Sequence, residues 1–272
     1  MAHVVTEYGL VDLGCESSLR RNTQRPVSYL TTLGGVTKAQ VGPHTSRVWD
    51  LSLPATSTPD EYAALHALVE GEYGSGPWGF VSDAAKVTNL LTPKASLLQG
   101  FAGSSSITPG GPPLRLPGGS VAASPWVIAA GTAPLFPLTP DPERLPVAAG
   151  VPFTASAYVA DAPGTLLRVW LYDHNGAYVR SVSGVRSSVA EDRLVVSDVA
   201  RDGEAWARLI VDNGSAPFRM AHPAFTWTRA VQPWAVGEGA TSVLITEADL
   251  DTVSAVPGRT YGKSSFMVRE VG

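Results

Sequence analysis

The chain has 272 residues, of which 44% are hydrophobic and 16% are charged, and its formal net charge is −4. This composition can fill the core of one large β domain or of two ordinary ones, which excludes a disordered tail. No stretch concentrates Lys or Arg, and Cys15 is the single cysteine, so we expect no nucleic-acid surface, intrachain disulfide or cysteine metal cluster.

The first predicted elements are β-strands. The segment RPVSYLTTLGG (25–35) is predicted to be a strand that ends in a Gly-Gly turn. A second strand is predicted in RVWDLSLPA (47–55), with Val48 and Asp50 on one face. Alternation places four side chains on its other face: Arg47, Trp49, Leu51 and Leu53.

An α-helix is predicted at 59–70, which is the only stretch with clear helical periodicity. Thr58 suits the N-cap, Pro59 the first helical position, and Glu61 completes a capping box. Gly71 can end the helix in the left-handed conformation. Four apolar side chains share one face, which should dock on an apolar surface: Tyr62, Leu65, Leu68 and Val69.

The second half of the chain shows the regular alternation of a β-sandwich. A Pro/Gly-rich loop (104–119) precedes a predicted strand at 151–160 and a hairpin at 165–183, which turns at DHNG. Further strands are predicted at 204–214 and 217–230. Turn signals at such short intervals favour a sandwich.

The distribution of elements predicts a discontinuous domain. The N-terminal block has few strands to cover its helix, and the last residues of the chain supply more strands. We therefore expect one β domain from 1–88 plus 232–272, interrupted by a β-sandwich at 89–231. The predicted fold class is mainly β, with one helix in the first domain.

No catalytic motif stands out. Gly74, Gly76 and Gly79 match G-x-G-x-x-G, but the match follows a helix and contains Pro77, so we interpret it as a turn. His222 is either a ligand or base, or a hydrogen-bonded structural residue. A carboxylate pair could lie among YDHNG, AEDR and VARDGEA, where Asp also suits turns. We predict no catalytic residue, no metal site and no cofactor.

The N-terminal segment lacks a basic stretch followed by an apolar run, so no signal peptide is expected. No apolar stretch is long enough to cross a bilayer, and we expect no membrane insertion. The chain is therefore expected to be made in a cytoplasm.

A candidate binding surface comes from strand alternation. Arg168, Trp170 and Tyr172 share one face of their strand, and Trp206 shares a phase with Arg208 on another. A third set of polar side chains lies on the strand at 151–160: Thr154, Ser156 and Tyr158. If these faces coincide, the surface suits sugar rings, which stack on aromatic faces and hydrogen-bond to polar neighbours. The alternative is that the Trp side chains are core and Arg covers their rim.

The sequence resembles two kinds of known protein. NLLTP, VPFTASAYV, TLLRVWLYDHNGAYV and ARLIVDNG resemble the jelly-roll carbohydrate-binding-type module, over most of 89–231. The segment from RVWDLSLPATSTPDEY to WGFVSD (47–83) and the closing RTYGKSSFMVREVG resemble minor tail proteins of phages infecting actinobacteria, and more broadly the distal tail protein of long-tailed phages. The Arg-rich, Lys-poor composition suits such a phage.

The tail-protein resemblance implies a ring-forming β domain with one helix and a sandwich attached outside the ring. It implies six copies in the ring, or alternatively three, and no catalytic residue. The implied partners are the tail tube, the tape-measure protein and baseplate hub proteins, and the implied location is the virion tail tip after assembly in the host cytoplasm.

Three functions follow from these observations. The first is a structural protein of the tail tip that joins the tail tube to the host-recognition apparatus. The alternative is an adhesion module that binds host cell-wall glycan through Arg168, Trp170, Tyr172 and Trp206. The third, a glycan-cleaving enzyme, would need a carboxylate pair in a cleft.

Overall fold

The chain divides into two compact units. The computed structural model describes residues 2–6, 9–13, 18–24, 27–31, 35–41, 46–52, 56–57, 59–99, 107–115, 121–122, 125–129, 135–137, 144–161, 163–185, 191–212, 217–257 and 259–271. Unit 1 comprises Met1–Glu7, Val11–Phe80 and Ser242–Gly272, and unit 2 comprises Tyr8–Leu10 and Val81–Thr241. Separate folding of the two units stays a prediction.

The elements run in chain order as follows. The first group is β1 (His3–Thr6), β2 (Gly9–Asp12), β3 (Ser18–Gln24), β4 (Val27–Thr31), β5 (Thr37–Val41), β6 (Ser46–Ser52), β7 (Thr56–Ser57), α1 (Pro59–Val69) and β8 (Trp78–Val81). The second is α2 (Asp83–Thr88), α3 (Pro93–Ser96), β9 (Ile107–Pro109), β10 (Leu114–Arg115), β11 (Val121–Ala122), β12 (Trp126–Ile128), β13 (Leu135–Pro137), β14 (Leu145–Pro146) and β15 (Pro152–Ala160). The last is β16 (Leu166–Tyr172), β17 (Tyr178–Ser183), β18 (Glu191–Val199), β19 (Trp206–Asp212), β20 (Phe218–Thr226), β21 (Ala240–Val256) and β22 (Arg259–Glu270).

Unit 1 is built on an eight-stranded sheet, which we call sheet I. Its order is β2-β1-β8-β21-β22-β6-β3, with β7 paired to β22. Strands from the N-terminal part of the chain and from its last 33 residues (240–272) therefore pair within one sheet. The strand predicted at 25–35 is also present, as β4, and pairs with β5 in a separate two-stranded ribbon.

The buried face of sheet I contains the predicted apolar set of β6. Trp49 and Leu51 are buried, and the Trp49 ring lies 5.0 Å from that of Phe80. Arg47 is buried in the same phase, and its guanidinium donates to both carboxylate oxygens of Glu270, at 2.8 and 2.6 Å. Such a bidentate pair ties β6 to the end of β22. The predicted position of Leu53 lies outside the described residues.

Helix α1 is present and contacts β22. Leu65 and Leu68 are each 1% exposed, but Val69, predicted in the same stripe, is 41% exposed. That part of the prediction is wrong, because Val69 is the last helical residue. Gly71 has the predicted left-handed conformation, with φ of 81°. Thr58 lies outside the described residues, as do the side chains of Pro59, Glu61 and Tyr62.

Two short helices, α2 and α3, were not predicted, and both belong to unit 2. Ser82 caps α2 by accepting a hydrogen bond from the Ala85 amide at 3.2 Å. Thr92 caps α3 by accepting one from the Ala95 amide at 3.2 Å. Helix α1 is the one helix among the described residues of unit 1, as predicted for the first domain, and the mainly β fold class is confirmed.

Unit 2 is a β-sandwich of two antiparallel five-stranded sheets. Sheet II has the order β18-β15-β20-β12-β9, and sheet III has the order β13-β19-β16-β17 with β14 paired to β19. The predicted hairpin is confirmed, because β16 and β17 pair across the DHNG turn. Inward-facing side chains of both sheets fill the core, where the Phe153 and Phe225 rings stack at 5.6 Å.

The segments that open and close unit 2 are clamped together by Asn89, which is fully buried. Its Nδ2 donates to the carbonyls of Pro223 and Ala235, at 3.1 and 3.0 Å. Its Oδ1 accepts from the amides of Leu91 and Phe225, at 3.2 and 3.1 Å. One side chain thus joins the first segment, strand β20 and the last segment.

Candidate functional site

The outer face of sheet III brings the four predicted binding residues together. In the β16–β19 register, Tyr172 lies opposite Trp206 and Trp170 lies opposite Arg208. Arg168 follows on the same side of β16, because alternate residues of a strand share a face. We call these five residues, with Tyr178 of β17, the aromatic face. It extends roughly 13 Å along β16 from Arg168 to Tyr172.

The two tryptophans of this face do not belong to the sandwich core. The intervening residues Leu167, Val169 and Leu171 are each fully buried, whereas Trp170 and Trp206 are only half-buried. The alternative that these tryptophans are core residues is therefore wrong. The alternation in LLRVWLY was the signal that identified the face.

The aromatic rings of the face are not coplanar. Tyr178, which is 57% exposed, stands at 81° to Trp170 with ring centroids 6.1 Å apart. It also stands at 81° to Tyr172, with centroids 6.0 Å apart. Tyr178 was not predicted as part of the face, because it lies on β17, on the other side of the hairpin turn from Tyr172. The Tyr178 ring therefore packs edge-to-face with both Trp170 and Tyr172.

The polar groups of the face are mainly hydrogen-bond donors. Arg168 Nη2 donates to the carboxylate of Asp212 at 2.6 Å. The carboxylate beside Arg168 is therefore already hydrogen-bonded. Arg168 Nε and Trp206 Nε1 are buried and have no hydrogen-bond partner within the described part of the chain. Buried donors are normally satisfied, so these two atoms are exceptions among the polar groups of the described residues.

A further guanidinium, that of Arg144, lies beside this region. Arg144 precedes β14, whose Leu145 pairs with Ala207 and faces the core. Alternation therefore directs the exposed Arg144 outward. Its Nη1 atom lies 2.8 Å from where a Cβ on Gly176 would be, so the guanidinium packs on the turn between β16 and β17.

The polar set of β15 does not join the aromatic face. Tyr158 lies on sheet II, as do Thr154 and Ser156, so the condition that all these faces coincide is not met. Residues 227–239, which we call the strap, cover this side of sheet II. Thr154 Oγ1 donates to the Thr228 carbonyl at 2.6 Å, and both Thr154 and Ser156 are 3% exposed.

His222 lies in this covered region and has a structural environment. Its ring stacks on Trp234 of the strap at 4.0 Å, and Tyr158 meets it edge-on at 6.2 Å. Burial lowers the pKa of His222, and the nearby positive charge of Arg193 lowers it further. Arg193 also donates to the Gln232 carbonyl at 2.7 Å, which holds the strap in place. The structural interpretation of His222 therefore fits better than that of a base.

Two carboxylates from the candidate segments, Glu204 and Asp173, make structural contacts, and Asp198 of β18 shares the Arg180 partner of Glu204. Arg180 donates to Glu204 at 2.5 Å and to Asp198 at 2.6 Å. Burial would raise the pKa of Asp198, but the hydrogen bonds from Arg180 and the Val199 backbone, together with the charges of Arg180 and Arg201, outweigh burial, and the pKa is lowered. Asp173 accepts from the Ala177 amide at 2.8 Å and so fixes the hairpin turn.

The described residues contain neither a candidate metal site nor a candidate membrane-spanning helix. Within them, no group of three or more His, Cys, Asp or Glu side chains could hold a metal ion. No helix in the described part of the chain is long and apolar enough to cross a membrane.

Comparisons with known proteins give distant likenesses. No protein-family model matches the chain, and no curated protein matches it. The enzymatically active domain of tailspike protein 4 from bacteriophage CBA120 is similar at 12% identity and a TM-score of 0.36, over 52% of this chain and 21% of that one. A xylan-binding domain from Paenibacillus barcinonensis is similar at 13% identity and a TM-score of 0.32, over 47% of this chain and 85% of that one.

A third similar structure is the Dit protein of phage SPP1, at 9% identity and a TM-score of 0.21, over 83% of this chain and 99% of that one. The similar structures thus include phage tail proteins and carbohydrate-binding modules. The chain spans about a fifth of the tailspike structure (21%). At these TM-scores no function is assigned by likeness.

Proposed function

We propose that the chain is a structural protein of a phage tail tip, in which unit 1 assembles into a ring and unit 2 is carried outside it. The proposal starts from the resemblance of segments 47–83 and 259–272 to phage tail proteins. The observation that supports it is the form of sheet I, which within the described residues ends at β2 on one side and β3 on the other. Two different edges of one sheet can pair between copies in a heterologous contact, and such a contact closes into a ring.

Native mass spectrometry of the purified full chain tests this proposal. The expected result is one closed oligomer, with six copies or alternatively three. Thr23→Lys places a charge on edge strand β3 and should break the oligomer, because edge charges oppose strand pairing. Thr246→Lys is the matched control, since Thr246 is equally exposed but lies on interior strand β21. A monomer at every concentration would contradict the proposal.

The aromatic face favours a second function, binding of host-surface glycan by unit 2. Half-buried Trp and Tyr side chains beside Arg provide stacking and hydrogen-bonding groups for sugar rings. A pull-down of the full chain with host cell walls tests this function. Tyr172→Ala should weaken retention, whereas Tyr29→Ala, at an exposed position in unit 1, should not. Equal retention of both variants would exclude the aromatic face as the binding surface.

A further inference from the structure

We infer that the strap contains a pH switch: protonation of His222 releases the middle of the strap, residues 231–234, from sheet II and uncovers the outer face of the sheet beneath it. The switch does not depend on the functions proposed above. Three features of the described residues support it. The ends of the strap are fixed, its middle is held by a cluster around His222, and that cluster contains a second cation.

The two ends of the strap are bound to the rest of unit 2. At the first end, the Trp227 indole donates to the Pro146 carbonyl at 3.0 Å, and the Trp227 backbone amide donates to the Lys86 carbonyl at 2.7 Å. At the other end, the Gly237 amide donates to Ser96 Oγ at 2.8 Å. Indole, amide, carbonyl and hydroxyl groups do not titrate between about pH 5 and pH 8. Both ends should therefore stay in place when the pH falls.

The middle of the strap is held by three contacts. The Gln232 carbonyl accepts from Arg193 at 2.7 Å, and the Trp234 ring stacks on His222 with centroids 4.0 Å apart. The Trp234 indole also donates to the Pro223 carbonyl at 3.1 Å. No residue of this middle part is fully buried, so its release exposes little apolar surface.

The imidazole of His222 is held in place from several sides. The pairing of β20 with β15 shifts register between Ala221 and Ala224, and there His222 has a φ of 55°. Such bulges redirect a side chain. The Tyr158 ring meets the imidazole edge-on at 6.2 Å, and the Arg193 guanidinium lies 5.2 Å from the centre of that same ring. One cluster thus joins sheet II, the imidazole and the strap.

A proton on His222 would add a second positive charge to this cluster. Arg193 already carries one, and its Nη2 donates to both Ser156 Oγ and the Gln232 carbonyl. Burial and the charge of Arg193 both lower the pKa of His222. An imidazolium keeps a cation–π attraction to Trp234, but it loses hydration and meets the charge of Arg193. We expect these two costs to exceed the attraction.

The other charged groups around β20 do not offset the imidazolium charge. Arg193 is the charged group that shifts the pKa of His222. The carboxylates of Asp83 and Asp198 already form ion pairs, with Lys86 at 3.0 Å and with Arg180 at 2.6 Å. The remaining described charged side chains of β20, α3 and the strap are Arg219, Lys94, Arg229 and Glu238.

The direction of the switch follows from proton linkage. The pKa of His222 is lower with the strap closed than with the imidazole exposed to water, where the ordinary value of about 6.5 applies. The closed strap is therefore fully stable above about pH 6.5, and its stability is lost as the pH falls towards the closed-state pKa. The closed-to-open ratio changes by about tenfold for each unit of difference between the two pKa values.

Hydrogen exchange of two indole N–H groups, followed by NMR on the full chain, tests the switch. The Trp234 indole is bonded under the middle of the strap, and the Trp227 indole, bonded at the fixed end, is the internal control. Exchange rates divided into those of N-acetyltryptophanamide at the same pH give protection factors, which report the closed-to-open ratio. From pH 7 to pH 5, we expect the protection factor of Trp234 to fall several-fold and that of Trp227 to stay constant.

Two histidine variants assign the change to His222. In His222→Asn the titrating group is absent, and Asn tolerates the left-handed backbone, so the pH dependence at Trp234 should disappear. His174→Asn is the matched control, because His174 is an exposed histidine of the same unit, and the pH dependence should remain. Trp234→Phe and Trp227→Phe assign the two indole signals.

A direct titration of the His222 imidazole by NMR gives a second measurement, which decides the question even if His222→Asn does not fold. Its midpoint should coincide with that of the change at Trp234. Coincident midpoints, with the change lost in His222→Asn and kept in His174→Asn, support the switch. Constant protection of Trp234, different midpoints, or a change that persists in His222→Asn would overturn it. Equal decreases at Trp234 and Trp227 would also overturn it, because the whole unit would then loosen.

Discussion

Replacing Asn89 tests how unit 2 is closed. Asn89→Leu keeps a side chain of similar size but removes both polar atoms from a fully buried position. The carbonyls of Pro223 and Ala235 would lose a donor, and the amides of Leu91 and Phe225 would lose an acceptor. Those four backbone groups belong to three separate segments, so no single adjustment of the chain can satisfy them all.

The expected loss of stability follows from these four contacts. A buried polar group left unsatisfied costs about 1–3 kcal/mol, so the lower limit for four groups is roughly 4 kcal/mol. For a unit of this size, each kcal/mol lowers the melting temperature by about 2–4 °C, which gives a decrease of roughly 8–16 °C. Five of the seven tryptophans lie within 81–241, so tryptophan fluorescence during thermal or urea unfolding follows mainly unit 2.

A matched substitution controls for the added apolar surface. Asn175→Leu makes the same change at an exposed turn position and should leave the transition nearly unchanged. If Asn89→Leu costs less than about 1 kcal/mol, the net value of a single hydrogen bond, then Asn89 does not hold the segments together.

Four further predictions concern the core, the ion pairs, the strap and the units. Leu68→Ala should destabilise unit 1 by about 2–5 kcal/mol in urea unfolding, because Leu68 is buried. Val69→Ala should have little effect, because Val69 is exposed. Equal losses of stability would mean that α1 packs on the sheet through a different face. Glu204→Ala should cost about 1.5–3 kcal/mol, since it removes two hydrogen bonds from Arg180 and leaves Asp198 as the remaining carboxylate partner, and an unchanged urea midpoint would contradict this. The pKa of His222 is lower in the folded protein than in the unfolded chain. Its contribution to stability is therefore complete above the unfolded pKa of about 6.5 and is lost as pH falls towards the folded pKa. The difference in unfolding free energy between wild type and His222→Asn should shrink between pH 7 and pH 5, and parallel pH profiles would refute this. Residues 81–241 expressed alone should unfold cooperatively, and aggregation of that fragment would contradict separate folding.

Local signals in the sequence predicted much of the fold because they act over a few residues. The DHNG turn and the alternation on either side of it were enough to place Trp170 and Tyr172 on one face of a hairpin. Gly71 was enough to end α1. Ser82 and Thr92 are equally clear N-caps, but α2 and α3 are too short to show helical periodicity, so they were missed.

The remaining features depend on contacts that are distant in sequence. Alternation assigns a side chain to one of two faces of its strand, but it cannot say which sheet the strand joins. Alternation therefore could not separate Thr154 from Trp170 in the candidate binding surface, although the two residues lie on different sheets. The contact between His222 and Trp234 likewise depends on how the strap returns over sheet II, which no local pattern records.

The boundaries of unit 2 show the same limit. The change in composition near Asn89 led to a predicted sandwich at 89–231, whereas the compact unit comprises Tyr8–Leu10 and Val81–Thr241. The additional residues include α2, which contacts β20, and the second half of the strap, which covers sheet II. Both are held by tertiary contacts rather than by a pattern within the segment.

Cryo-electron microscopy of intact virions from a phage that encodes this chain tests the central claim most directly. The account predicts a ring of copies at the tail tip, formed by unit 1, with unit 2 on the outside of the ring. A chain located on the capsid, or one absent from the particles, would contradict the account.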